Sequence, residues 1–171
     1  KFKTTAGDDL FRSVANGDFA SADIIDGGAG NDTIKAVLTA ADNSLKPLLT
    51  SVETVEVALT SVDTKDVTFD FSEGKDVTTF KMTAADIAAD DTQVTVKGVQ
   101  TTDTVNFATS YAGANTLTSA TITYDSVTGT ADSAAFAVGG NITNVVAAGI
   151  ETATVNATAF KGTVTLENAT T

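Results

Sequence analysis

The sequence predicts an all-β chain of many short strands, and three observations carry that prediction. Thr contributes 32 of the 171 residues and the apolar set is mostly Ala and Val, so the side chains suit a pleated, half-buried surface. From Leu48 onward small apolar and polar residues alternate in short runs, the period of two that marks a strand with one buried face. Asp outnumbers Glu by 17 to 5, which suits turns between strands better than helices, because a short carboxylate bonds readily to nearby backbone N–H groups.

Taken in chain order, the first patterned segment runs from Thr4 to Lys35. Gly27-Gly28-Ala29-Gly30-Asn31-Asp32-Thr33-Ile34-Lys35 matches the calcium-binding nonapeptide G-G-x-G-x-D-x-U-x at every specified position. Its glycines let the backbone turn tightly and bring carbonyl oxygens inward, its aspartate supplies a hard anionic oxygen, and its apolar eighth residue enters a small core. The preceding nine residues, Asp18 to Asp26, keep Asp23 at the sixth position and Ile25 at the eighth, with Asp18, Phe19 and Ser21 where glycines are expected. Further upstream, Thr4 to Arg12 places Gly7, Asp9 and Phe11 at the fourth, sixth and eighth positions. Gly7 precedes Gly30 by two nonapeptides plus five residues, a surplus that fits an insertion at residues 13–17. An ordinary Gly-Asn-Asp turn would explain one copy; one full and two partial copies in phase favour a metal.

This segment resembles the repeats-in-toxin proteins. In their parallel β-roll, turns two repeats apart stack and clasp a cation, which would bring Asp9 and Asp32 to one calcium. The resemblance implies calcium held by those carboxylates and by main-chain carbonyls near Ala6, Gly28 and Gly30, with Asp23 as a further candidate. A single perfect repeat excludes a long roll and implies one or two ions at most.

Beyond it, Val37 to Leu49 is expected to form a short helix capped by Asp42 or Ser44, and Pro47 closes the connection. Ten strands are then expected: Val52 to Leu59, Asp66 to Phe71, Thr78 to Met82, Gln93 to Lys97, Asp103 to Phe107, Thr116 to Tyr124, Ala134 to Val138, Thr143 to Ala147, Ile150 to Val155 and Gly162 to Leu166. Ala84 to Ala89 reads as one helical turn, and Ser126 to Asp132 and Gly139-Gly140-Asn141 read as turns. The run Val52-Glu53-Thr54-Val55 echoes Ile150-Glu151-Thr152-Ala153 98 residues later. The expected architecture is a short N-terminal calcium-binding parallel β-roll element, residues 1–47, joined to a β-sandwich or irregular β-solenoid, residues 48–171, the two able to form one continuous unit.

Charge and composition narrow the function. A net charge of −12 with a single Arg offers no basic stripe to neutralise phosphates, so nucleic acid is not an expected partner, nor is an anionic membrane surface. No apolar run is long enough to span a bilayer, so membrane insertion is not expected. Without His or Cys, histidine bases, thiol nucleophiles, disulfides and nearly all zinc or copper sites are removed. The paired carboxylates Asp8–Asp9, Asp63 with Asp66 and Asp90–Asp91 read better as solvated turns or calcium ligands than as acid–base pairs, and the chain is not expected to be an enzyme. Tyr111 and Tyr124 are the two aromatic residues placed for sugar stacking, though strand packing suits both better.

The nonapeptide, followed by A-V-L-T-A and then L-L-T-S-V-E-T-V-E-V in a Cys-free Thr/Val chain, resembles the surface-layer proteins of Gram-negative bacteria exported by type I secretion. What this implies is a structural building block, secreted to the extracellular bacterial surface and folded on calcium. Its partners would be like subunits in a lattice and cell-surface polysaccharide. A repeats-in-toxin adhesin module that binds glycan or a host surface is the alternative. The chain, which begins at Lys1 and stops inside a strand-like pattern, reads as a piece of a longer protein.

Overall fold

The computed structural model describes all residues except 5, 15–17, 39–43, 63–65, 75, 88–91, 110–116 and 168–171. Among the described residues the regular elements are strands and there are no helices. They are β1 (Phe2–Lys3), β2 (Leu10–Ser13), β3 (Ile24–Asp26), β4 (Thr33–Leu38), β5 (Ser44–Leu45), β6 (Leu48–Thr50), β7 (Thr54–Val62), β8 (Val67–Asp70), β9 (Thr79–Ile87), β10 (Thr92–Val99), β11 (Thr104–Thr109), β12 (Leu117–Tyr124), β13 (Ser133–Gly139), β14 (Ile142–Ala148), β15 (Thr152–Thr158) and β16 (Thr163–Glu167).

The chain winds as a parallel β-solenoid. Seven strands form one sheet in the order β15-β13-β11-β9-β7-β4-β2, six form a second in the order β16-β14-β12-β10-β8-β5, and β1-β3-β6 form a short third. From β7 onward odd-numbered strands enter the first sheet and even-numbered strands the second, so each strand serves as the crossover that lets its two neighbours pair in parallel. The sandwich branch of the expectation falls here, because an antiparallel sandwich pairs strands adjacent in sequence and this chain pairs strands one coil apart. Strands from both sides of Pro47 enter the seven-stranded sheet.

Alternation in sequence becomes alternation in space. In β4 the pattern is half-buried, buried, exposed, buried, half-buried, buried, and β8, β10 and β13 repeat it, so every second side chain enters one interior between the sheets. Phe80 lies at the centre of an aromatic cluster there, with ring centroids 5.2, 5.7 and 6.1 Å from Phe69, Phe71 and Phe107. Thr54, Thr79 and Thr104 stand in one column, 25 residues apart.

Both helix expectations are overturned in their described parts. Val37 and Leu38 end β4, and β5 and β6 follow, while residues 39–43, Asp42 among them, lie outside the described residues. Ala84 to Ile87 extend β9, pairing with β7 through Leu59–Ala84, Thr60–Asp86 and Val62–Ile87. Ala is a strong helix former, but local propensity yields readily to tertiary context, and neither segment has the apolar stripe that would anchor a helix, so the parallel ladder wins. Tyr124 is buried, in keeping with packing; Tyr111, Asp63, Asp90 and Asp91 lie outside the described residues.

Candidate metal centre

The corner leading from the short sheet into the seven-stranded sheet is built from the two patterned segments. Phe2 pairs with Ile25 and Leu10 with Thr33, so Thr4 to Arg12 stacks on Gly27 to Lys35 in a constant register of 23 residues. Ala6 and Ala29 form an isolated parallel bridge, and the Gly7 N–H donates to the Ala29 carbonyl. Gly7 and Gly30 carry φ of +126° and +132°, and a side chain at Gly30 would strike the Gly7 backbone. Glycine is needed at Gly30 for that close approach of two coils as much as for the turn.

The stacking delivers acids to one column. Asp9 and Asp32 end their corners at equivalent places, and the Asp9 N–H donates to Asp32 Oδ1 at 2.7 Å. Beside them the Asn31 N–H donates to Asp8 Oδ1 at 2.8 Å. Asp32 is 0% exposed, and both its Oδ2 and that of Asp9 are buried without a hydrogen-bond partner. A buried carboxylate oxygen left unpaired costs free energy that a cation or a proton would recover.

Of the sequence-predicted site residues, Ala6, Asp9, Gly28, Gly30 and Asp32 share this corner. Asp23 does not: it stands at the opposite end of β3, where its Oδ2 accepts the Ala20 N–H at 2.9 Å and its carbonyl accepts the Leu48 N–H. Among the described residues no three His, Cys, Asp or Glu side chains cluster as a metal-holding group. Side chains alone would therefore not hold a cation at the corner, which would need main-chain oxygens as well, the mixed oxygen set that suits calcium.

Sequence reasoning missed how this column continues. Glu53 follows Asp32 one coil on: its Oε2 accepts the Asp32 N–H at 2.7 Å, while the Glu53 and Thr54 N–H groups donate to the Asp32 carbonyl. Asp132 and Glu151 repeat the arrangement, with Glu151 Oε2 accepting the Asp132 N–H at 2.8 Å and the Glu151 and Thr152 N–H groups donating to the Asp132 carbonyl. The echoed V-E-T and I-E-T triplets are thus corners of one design: a buried Val52 or Ile150, an acid clasping the coil before it, and a Thr opening the strand. The signal was present as an acid followed by Thr or Ser at Asp32-Thr33, Glu53-Thr54, Asp103-Thr104, Asp132-Ser133 and Glu151-Thr152.

Comparison with family models, curated proteins and solved structures returns no match. Among the described residues no helix is long and apolar enough to cross a membrane.

Proposed function

We propose that this chain is a structural building block of a bacterial surface layer, secreted and folded or assembled on calcium held at the corner of Asp9 and Asp32. The observation that carries the reading is the pair of buried, unpartnered carboxylate oxygens on stacked nonapeptides. Asp9 and Asp32 would hold the ion, with main-chain oxygens around Ala6, Gly28 and Gly30. Bound calcium supplies positive charge that lets these carboxylates stay buried and ionised, so binding energy becomes folding energy. At low calcium the acids of the first coils, Asp8, Asp9, Asp26 and Asp32, repel one another and keep the segment loose enough for export. Weak sites of this chemistry fill outside the cell. The parallel solenoid also supports the structural reading, because its sheets end in edges suited to pairing with like subunits.

Calorimetric titration with calcium tests the metal: the intact chain is expected to bind and Asp32→Ala to lose most of the heat, whereas equal heats from both would refute the site. Electron microscopy of the purified protein tests the assembly, which is expected as calcium-dependent sheets or tubes.

One observation favours the adhesin reading as a second. On the outer face of the seven-stranded sheet Arg12, Lys35 and Lys81 surround Glu56 along a groove of about 380 Å³ also lined by Val37 and Ala58, three cations to one acid on an otherwise acidic molecule. Glycan-array binding by a monomer, lost in Lys35→Glu, would support it over the lattice.

A further inference from the structure

Six residues, Gly27 to Asp32, turn the corner in the second coil, and only three, Ser51 to Glu53, turn it in the third. The shorter corner draws the third coil inward beneath Asp32. Ser51 takes a left-handed φ of +49°, unusual for a residue with a side chain, and its N–H is tied to Asp76 Oδ2 at 2.7 Å. A methyl group at Gly27 would collide with both the Ser51 carbonyl oxygen and Asp32 Oδ2, so these two oxygens lie near one another, packed against Gly27. Asp32 therefore divides its carboxylate: Oδ1 serves the first coil through the Asp9 N–H, and the unpartnered Oδ2 lies beside the third. Glu53 approaches from that same coil and holds the Asp32 N–H.

We propose that the third coil, which carries no nonapeptide, completes the cation site: the Ser51 main-chain oxygen and the Glu53 carboxylate face the ion together with Asp32 Oδ2. The inference rests on the calcium reading above and goes beyond it by moving the site toward residues that no glycine motif marks. Glu53 then has two duties, tying Asp32 in place and adding negative charge to the ligand set. Ser51 holds its strained turn because Asp76 clamps its N–H, which fixes the direction of its carbonyl.

The test is calcium titration by calorimetry on the intact chain and on Glu53→Gln, a change that keeps an oxygen for the Asp32 N–H while removing the charge. Affinity is expected to fall roughly tenfold or more, since ligand charge count sets calcium affinity. Calcium binding that is unchanged in Glu53→Gln would overturn the third-coil assignment alone, whereas no calcium binding by the intact chain would overturn the calcium reading itself. A second readout needs no variant: in the intact chain the carbonyl ¹³C resonance of Ser51 is expected to shift on adding calcium, together with those of Gly28 and Gly30. Shifts at the glycines with none at Ser51 would also overturn the assignment.

Discussion

Single residues account for the most specific features of this molecule. Asp32 is wholly buried because a six-residue turn stacks over a three-residue one, and Gly27 is glycine because the Asp32 carboxylate and the Ser51 carbonyl occupy the place of its side chain. The nonapeptide made Asp9, Gly30 and Asp32 legible in sequence, since glycine and aspartate at fixed spacing announce a turn. Glu53 was not legible, because V-E-T-V reads as any strand until its neighbour one coil away is known. Asp23 occupies its motif position without reaching the corner, since it lies a single nonapeptide before Asp32 and so falls at the other end of β3. In the core, Phe80→Ala removes the ring at the centre of the aromatic cluster and is expected to cost about 3–5 kcal/mol, measured by denaturant unfolding; a loss under about 1 kcal/mol would contradict the packing described. Tyr124 gives a prediction of opposite chemistry. Burial, aided by the charge of Asp103, pushes its hydroxyl up to about 12 from 10.0. A raised value means that its contribution to stability is whole below pH 10 and is lost as pH rises toward 12. Absorbance titration of the two tyrosines is expected to show one ionising near pH 12; full ionisation of both by pH 10 in the folded protein would contradict its burial.

At the scale of elements, the strands were the most legible part. The ten expected after Leu48 correspond to β7 through β16, with ends displaced by a few residues, because a half-buried strand writes its two faces into alternate positions. What alternation could not supply was the partner of each strand: the same pattern serves a sandwich and a solenoid, and the choice depends on connections between coils. The helical misreadings have the same root, since local propensity carries no record of the ladder beside a segment. Lateral pairing also organises the surface. Lys35 and Lys81 flank Glu56 at 2.7 and 3.1 Å on the outer face of the seven-stranded sheet. The hydrogen bond from Lys35, helped by Lys81, holds the Glu56 carboxyl below its usual 4.5. Because the folded value is depressed, the contribution is present above pH 4.5 and is lost as pH falls through the folded value. These side chains are partly exposed, so Glu56→Gln is expected to cost only about 0.5 kcal/mol near neutral pH, with the difference from the unaltered chain vanishing in acid. A cost that persisted at pH 2 would show that Glu56 acts through packing instead.

For the whole molecule the governing quantity is charge. Twenty-two acids against ten bases leave −12, and several of those acids stand in one corner column where successive coils clasp one another. Such a stack is self-repelling unless its carboxylates are hydrogen-bonded, protonated or bridged by a cation. Backbone N–H groups satisfy part of the column; at Asp9, Asp32 and Asp132 one carboxylate oxygen of each is left over, and the calcium proposed for Asp9 and Asp32 would neutralise theirs. A site filled to a hundred times its dissociation constant adds about 2.7 kcal/mol, which in a domain of this size raises the unfolding midpoint by roughly 5–10 °C. Thermal unfolding followed by circular dichroism, in calcium and in chelator, is the most direct test. The midpoint is expected to climb with calcium concentration by that amount and the Asp32→Asn variant not to respond; superimposable melting curves for the unaltered chain with and without calcium would refute the calcium site.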